Sequence, residues 1–353
     1  MRNIRPLKFI AALVSVVVVS SLLSVAVTAK NFSESYPVVV CPPTLDGLGS
    51  QISLSSKKTP FQRLQNRSTN TTQVEVLRLP VNKDSLVITS EGVAPVVWQS
   101  RSGSWAGGAL CVGPASSQWF VGGAADVTTR GRLIIVNSGL SDAVVDVVTF
   151  TENGKQPVRA TNVSSKNYIV IPVDSLAPGD KTLTVHVVPR SGRINAFMID
   201  EQGKGLKALG GDLVNPAVTA SKNVVIPAIP NQISKNTAAL PHTLRVLAPG
   251  DLDASITVEV VSADGVFVPV GLNSRTISAG VVSEFKLDPN ITSNLMAVRI
   301  SSTEPIVAAV KSTATVSGKK DFVWSTVAPE LVPLTMAITG LDPLITFTGE
   351  NIN

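Results

Sequence analysis

A strand-rich segment of this sequence recurs after about 110 residues. Residues 132–148 and 243–260 align so that Gly139 falls opposite Gly250, and each copy is followed by a turn dipeptide, Asn-Gly in one and Asp-Gly in the other. Repetition at the length of a domain predicts tandem β modules. That architecture serves display, adhesion and assembly more often than catalysis.

The composition and the apolar pattern predict an all-β fold. Hydrophobic residues make up 44% of the chain and aromatic residues only 5%, so small and β-branched side chains fill most core positions. This mixture suits thin β-sandwiches better than helical bundles. Short apolar runs at 143–150, 168–172 and 182–188 are separated by turn residues, as in sandwich folds. We expect tandem immunoglobulin-like β-sandwich units.

A second repeated element divides the chain into three units. A turn followed by an apolar strand begins at Ser90, Ser191 and Ser302, and the later two copies are followed by Gly-Asp212 and Lys-Asp321. The first unit shares only the strand and is therefore divergent. The predicted organisation is a leader at 1–29, units at 36–127, 128–228 and 229–340, and a C-terminal tail at 341–353.

The N-terminus predicts export. Three basic residues precede an apolar run over 9–29, which ends in small residues at the positions that a signal peptidase reads. A cleaved signal peptide is the first interpretation. About 21 apolar residues also suffice to cross a bilayer, so an uncleaved signal anchor is the alternative. The protein is expected outside the cytoplasm, secreted or anchored at the cell surface, with membrane contact only through this segment if it stays uncleaved.

The charge of the chain gives no reason to expect a nucleic-acid partner. The formal net charge is +5, and it falls to +2 once the three basic residues of the leader are removed. The lysine pairs at 57–58 and 319–320 are isolated. Nucleic-acid binding needs cations clustered on one face.

Cys41 and Cys111 are the only cysteines. An even pair in an exported chain favours one disulfide, which would close a loop of about 70 residues and stabilise the fold by roughly 4 kcal/mol in the entropy model. Two separately buried thiols are the alternative.

The residues that could support catalysis form no recognisable motif. His186 alternates with valines at a predicted strand surface, and His242 follows a proline in a predicted loop; neither has partners at zinc-ligand spacing. The nearest match to a nucleophile elbow centres on Ser141, which the repeat replaces with Leu252, so this serine belongs to a turn. We expect no enzymatic activity, metal or cofactor. A hydrolase built on two distant carboxylates is a minor alternative.

Trp105 and Trp119 are the aromatic residues best placed to stack on a sugar. Both lie in Gly/Ser-rich surroundings near Cys111. A tryptophan packed beside a disulfide is equally familiar in the cores of β-sandwiches. A ligand role and a core role therefore both stay open.

Several of these segments together resemble an actinobacterial secreted family known as domain of unknown function 5719. The resemblance rests on Pro-Val-Val-Val-Cys-Pro at 37–42, Cys-Val-Gly-Pro at 111–114, Gln-Trp-Phe-Val-Gly-Gly at 118–123, Gly-Asp-Leu-Val at 211–214 and Asp-Phe-Val-Trp-Ser at 321–325. It implies an envelope-associated or secreted β-rich bacterial protein with Cys41 and Cys111 paired. Members are often encoded beside a membrane glycosyltransferase, which implies a link to envelope polysaccharide. The family name supplies no reaction.

The sequence thus leads to a functional expectation in two versions. The first is a non-enzymatic extracytoplasmic cell-envelope protein that acts as a scaffold or interaction module, linked to envelope polysaccharide assembly. Its partner would be an envelope protein or glycan, a membrane glycosyltransferase among them. The alternative is a carbohydrate-binding protein of the cell surface that uses Trp105 and Trp119 as stacking platforms.

Overall fold

The structure, a computed structural model, describes residues 38–55, 57–64, 72–89, 92–217, 219–231, 242–316, 319–339 and 345–349. The described residues belong to one compact unit. The predicted leader at 1–29 and most of the predicted tail lie outside them. Within these ranges the only helix is a single 3-10 turn at Val173–Ser175, and no helix is long and apolar enough to span a membrane. The prediction of an all-β fold is confirmed.

The first pair of sheets is built from eight antiparallel strands. In chain order, β1 to β8 cover Val38–Cys41, Gly49–Ser53, Thr59–Arg63, Thr72–Val74, Arg78–Pro80, Leu86–Thr89, Val93–Arg101 and Trp105–Leu110. One sheet has the order β1-β6-β3-β4, and in the other β7 lies between β2 and β8, with β5 beside β2.

The second pair of sheets follows the same plan. Strands β9 to β17 cover Gln118–Val121, Arg132–Asn137, Ala143–Thr151, Gly154–Lys155, Arg159–Val163, Asn167–Pro172, Leu183–Ser191, Ile194–Lys204 and Lys207–Val214. One sheet runs β9-β15-β11, with β12 and β13 beside β11, and the other runs β14-β10-β16-β17.

The third pair shares one long strand between its two sheets. Strands β18 to β25 cover Ser221–Pro230, His242–Leu247, Ala254–Ser262, Gly265–Phe267, Arg275–Ile277, Ser283–Leu287, Leu295–Val316 and Lys319–Thr326. The first half of β24 pairs with β18 and β20, and its second half pairs with β19 and β25. A last strand, β26 (Thr335–Ala337), runs parallel to β7 and returns the chain to the first pair of sheets.

The same strand pairing therefore occurs three times. The first strand of each set makes one of these pairings: β1 with β6, β9 with β15 and β18 with β24. The second strand makes the other: β2 with β7, β10 with β16 and β19 with β24. The first two strands of each set lie in different sheets. In an immunoglobulin domain the first two strands are neighbours in one sheet, so the strand order differs from the immunoglobulin-like order that the sequence suggested.

The repeated turns of the sequence have clear structural roles. The turn at Ser191 is where the chain leaves one sheet, at the end of β15, and enters the other at β16. In the third set β24 makes the same change of sheet without a break. The predicted hairpins are also confirmed, because Gly154 and Gly265 take φ values of +100° and +124°, which the tight turns from β11 to β12 and from β20 to β21 require.

The central strands β10 and β16 of their sheet are buried on both faces. Along β10, Leu133 and Ile135 pack into the core of the second pair of sheets, whereas Ile134 and Val136 pack into the core that contains the first pair. Successive side chains of a strand point to opposite faces. A strand that is buried on both faces therefore needs an unbroken run of apolar residues, as β10 has. The sheet that contains β10 is a layer shared by the first two pairs of sheets.

Buried charged groups join the second and third pairs of sheets. Arg245, 3% exposed, donates to the carbonyls of Gly123 and Leu183 at 2.7 and 2.8 Å and pairs with Glu284 at 2.7 Å. Its guanidinium carbon lies 4.8 Å from the ring centre of Trp324. A buried charge needs such partners, because leaving it unpaired is strongly destabilising.

Two buried aspartates of the second pair of sheets accept hydrogen bonds from Trp324 of the third. Its indole Nε1 donates to Asp200 at 2.8 Å, and its backbone N–H donates to Asp212 at 2.8 Å. Burial raises the pKa of Asp212 to about 8, although backbone donors from Trp324 and Leu213 act in the opposite direction. The predicted Gly-Asp element is thus an internal contact between the second and third pairs.

We predict that substituting Gly107 lowers stability because β8 approaches β17 closely there. A Cβ at Gly107 would lie 2.5 Å from Asp212 Oδ1 and 2.7 Å from the Leu213 nitrogen. Gly107→Ala should reduce the free energy of unfolding in urea by about 1–3 kcal/mol. Gly250→Ala is the control, since a Cβ there meets nothing within 4 Å. Equal effects of the two substitutions would contradict the packing described here.

We also predict a pH dependence that originates at Asp212. Its folded pKa of about 8 exceeds the ordinary value of 3.8 expected for the unfolded chain. The associated stability is therefore complete below about pH 4 and is lost as pH rises through about 8. Asp212→Asn, whose side chain cannot ionise, should flatten this decline of stability in urea titrations from about pH 5 to 9. The exposed Asp251→Asn should leave the slope unchanged; an unchanged slope in Asp212→Asn would refute the assignment.

Candidate functional site

A cleft of about 470 Å³ lies between the first and second pairs of sheets. It forms at the edge of the sheet that contains β10, β14 and β16. Ile134 and Val136 pack against the first pair of sheets. Arg132, two residues earlier on the same face of β10, lies beyond that contact and lines the cleft. The lining residues are Thr44, Leu45, Asp46, Leu48, Lys83, Arg101, Arg130, Arg132, Tyr168, Val170, Ile199 and Glu201.

The floor of the cleft follows from the register of three strands. Arg132 on β10 is opposite Ile199 on β16, and Ile134 is opposite Val170 on β14. Glu201 lies two residues after Ile199 and therefore on the same face. The floor thus combines apolar side chains with one arginine and one carboxylate.

The opposite wall is the segment that links β1 to β2. Its conformation is fixed by Thr44, whose N–H donates to the Asn82 carbonyl at 2.9 Å and whose hydroxyl donates to the Val81 carbonyl at 2.6 Å. A further backbone bond, from Leu48 to Leu45 at 3.1 Å, closes a turn. The wall is therefore a defined surface of the first pair of sheets.

An ion pair joins the two sides of the cleft. Arg101, at the end of β7, donates through Nε and Nη2 to the two oxygens of Glu201, the second contact at 2.9 Å, and through Nη1 to the Gly47 carbonyl at 3.1 Å. The Glu201 side chain is only 7% exposed. The carboxylate raises the pKa of Arg101. Bidentate pairing of this kind combines geometric specificity with strength.

Two further arginines bring unneutralised positive charge. Arg130 Nη2 donates to the Gly205 carbonyl, and Arg132 Nη1 donates to the carbonyls of Arg130 and Gly131 at 3.0 and 2.8 Å. Within the described part of the chain, neither forms an ion pair with a carboxylate. Four cationic side chains and two carboxylates line the cleft, which gives it a net charge of +2.

Lys83 and Asp46 pair at the mouth of the cleft. Their contact is 2.8 Å, and both side chains are largely exposed, so the pair adds little stability. The Tyr168 hydroxyl donates to the Lys83 carbonyl at 2.7 Å, and burial raises its pKa. This tyrosine is the aromatic residue of the cleft.

The predicted disulfide is confirmed, and the two predicted tryptophans lie in the interior. Cys41 and Cys111 are bonded in the core of the first pair of sheets. Trp105 is 4% exposed, and its ring faces Gly211; Trp119 is 7% exposed and stacks on His186 with ring centres 3.7 Å apart. Both rings are core residues here, and neither lines the cleft.

The histidines occupy structural positions. The imidazole of His186 is half-buried against Trp119, where burial lowers its pKa to about 4. The prediction that His242 lies in a loop is wrong: it begins β19 and is 1% exposed. It is held by hydrogen bonds to Ser312 and Asn231, 2.8 and 3.2 Å long. The preceding proline was a misleading signal, because a strand can begin directly after it.

Ser141 lies in a turn, and no metal-binding cluster of side chains occurs in the described ranges. The carbonyl of Ser141 accepts a bond from Asn137 at 2.9 Å, in keeping with a turn. No group of three or more His, Cys, Asp or Glu side chains that could hold a metal ion occurs among the described residues.

The sequence reasoning missed the arginines of the cleft. Their signal was weak but present: Arg-Gly-Arg at 130–132 leads into the apolar run of one strand, and Asp-Glu at 200–201 follows the apolar part of another. Each pattern looks like ordinary strand-end charge. Only the pairing of β10 with β16 brings the two together.

The fold and the cleft define an all-β protein built of paired sheets, with a cationic cleft between the first two pairs. The chain belongs to the family of unknown function DUF5719, whose sequence profile matches residues 87–339. No curated protein matches it. The crystal structure of Thermotoga maritima 1070 is similar over 31% of this chain and 96% of that chain, at 16% identity and a TM-score of 0.26, which is too distant to inform fold or function.

We predict that Glu201 stabilises the junction between the first two pairs of sheets. Glu201→Gln keeps the size of the side chain but removes the charge that holds Arg101, and it should lower the free energy of unfolding by about 1.5–3 kcal/mol. The control is Asp146→Asn, which breaks the more exposed pair with Arg190 and should cost less than about 1 kcal/mol. Urea unfolding measures both, and equal losses would contradict a special role for Glu201.

Proposed function

We propose that this protein is a non-enzymatic extracytoplasmic protein of the cell envelope that acts as a scaffold or interaction module. We further propose that its paired sheets are three copies of one β-sandwich unit. The observation that carries the functional proposal is the cleft between the first two pairs, fixed by the Arg101–Glu201 ion pair. Its volume is that of a typical ligand site.

The disulfide supports an extracytoplasmic location. Cys41 and Cys111 are bonded and buried within the first core. Disulfides persist in oxidising compartments and are rare in the cytosol. The basic and apolar leader of the sequence favours the same compartment.

The state of the charged groups in the cleft favours binding over catalysis. General acid–base chemistry needs a side chain that can exchange a proton with the substrate. Glu201 is held by both donors of Arg101, and Asp46 is paired with Lys83. His186 and His242 do not line the cleft.

The partner that we propose is an envelope protein or glycan, with a membrane glycosyltransferase as one candidate and envelope polysaccharide assembly as the process. The alternative of sugar stacking on Trp105 and Trp119 is not favoured, since both indoles are buried. A sugar-bearing partner would instead meet Tyr168 and the arginines of the cleft.

Site-specific photo-crosslinking in the native host tests this function. A photoreactive residue in place of Val170, in the cleft, should yield an adduct in the envelope fraction, and one in place of Leu252, an exposed residue of a distant loop, should not. Alkylation before reduction should show Cys41 and Cys111 protected as a disulfide. Recovery in the cytoplasm with free thiols, or equal adducts from both positions, would refute the proposal.

A further inference from the structure

We propose that the cleft binds a phosphate group through Arg130 and Arg132. This inference rests on the proposed function and names its ligand class. The carboxylates of the cleft already have cationic partners: Glu201 is paired with Arg101, and Asp46 with Lys83. The charge that remains is that of the two other arginines.

The amount and the type of charge favour phosphate. Two arginines without carboxylate partners in the described chain leave a net charge of +2 in the cleft. A phosphate monoester carries about −1.5 to −2 charges and three acceptor oxygens at neutral pH, whereas a carboxylate carries one charge. Arginine presents a planar fork of donors that matches phosphate oxygens. A dianion therefore fits better than a monoanion.

Both arginines are already partly ordered. Each uses one terminal nitrogen on backbone carbonyls, Arg130 on Gly205 and Arg132 on Arg130 and Gly131. Each guanidinium carries five N–H donors, so donors remain for a ligand. Because the side chains are anchored before binding, less conformational entropy is lost when the ligand arrives.

The surroundings strengthen the attraction. Leu45, Leu48, Val170 and Ile199 supply apolar walls and floor. Low-dielectric walls around charges of one sign focus the electric field in a cleft. The nearby Asp126 accepts bonds from the N–H and hydroxyl of Thr128 at 2.8 and 2.6 Å, so its carboxylate is also engaged.

Two loops beside Arg130 bear on the source of the phosphate. Val127 and Leu206 are fully exposed, and the Gly203 N–H donates to the Thr128 carbonyl at 2.8 Å, which holds the two loops side by side. Lys204 and Lys207 flank Leu206 and are exposed. Aliphatic tips among cations suit the surface of an anionic membrane. The phosphate could thus belong to a soluble compound or to a lipid headgroup.

Isothermal titration of the exported protein, with its disulfide intact, tests the site with inorganic phosphate as the probe. Binding should be weaker by about tenfold or more in Arg130→Gln/Arg132→Gln, because charge-assisted hydrogen bonds are lost. Arg159→Gln, which removes an exposed arginine on β13, should bind like the parent. Val170→Glu, which adds a negative charge to the floor, should also weaken binding and serves if the double variant does not fold.

Vesicles of phosphatidylcholine with and without phosphatidic acid distinguish the sources. Binding to the anionic vesicles that is lost in Val127→Ser/Leu206→Ser, with phosphate titration unchanged, would assign a lipid headgroup. Phosphate binding without vesicle binding would assign a soluble ligand, and either result supports the site. The proposal is overturned if the parent protein binds neither probe, or if Arg159→Gln weakens binding as much as the double variant. If Val170 still crosslinks to an envelope component in that case, only the ligand class is wrong, and the proposed function stands.

Discussion

The rest of the structure depends on two adjacent strands, β10 and β16, that are buried on both faces. β10 and β16 send alternate side chains into two different cores, Leu133 and Ile135 into one, Ile134 and Val136 into the other. The first two pairs of sheets therefore share a layer, and neither can bury its apolar surface without the other. The cleft lies where this shared layer extends past the strands of the first pair that pack on it, so its position is a consequence of strand register.

The buried ionisable groups between the second and third pairs of sheets have hydrogen-bond partners. Arg245 reaches carbonyls of the second pair of sheets from a strand of the third, and Asp200 and Asp212 accept hydrogen bonds from Trp324 in the opposite direction. In a medium of low dielectric constant a satisfied network is strong, and a broken one is costly. The same principle applies at the cleft, where Arg101 and Glu201 neutralise each other and leave Arg130 and Arg132 to carry the net charge.

The local features of the fold could be predicted from the sequence, but the cleft and its arginines could not. Hairpins at Gly154 and Gly265 depend on two or three neighbouring residues, and the disulfide was predicted from a count of cysteines and from the expectation of export. The cleft depends on the pairing of strands about 70 residues apart and on a wall contributed from near residue 45. His242 shows the same limit, because its burial is decided by partners 11 and 70 residues away.

Native-state hydrogen exchange would test the central claim, that the cleft is preformed between sheets which share a layer and unfold together. The amides of Ile134 and Phe197 in the shared sheet, of Val97 in β7 and of Val185 in β15 are the ones to compare. The account predicts that all of them exchange only through global unfolding, with one common free energy. Exchange of Val97 at a clearly lower free energy than Val185 would show that the first pair of sheets opens by itself, and would contradict a preformed cleft.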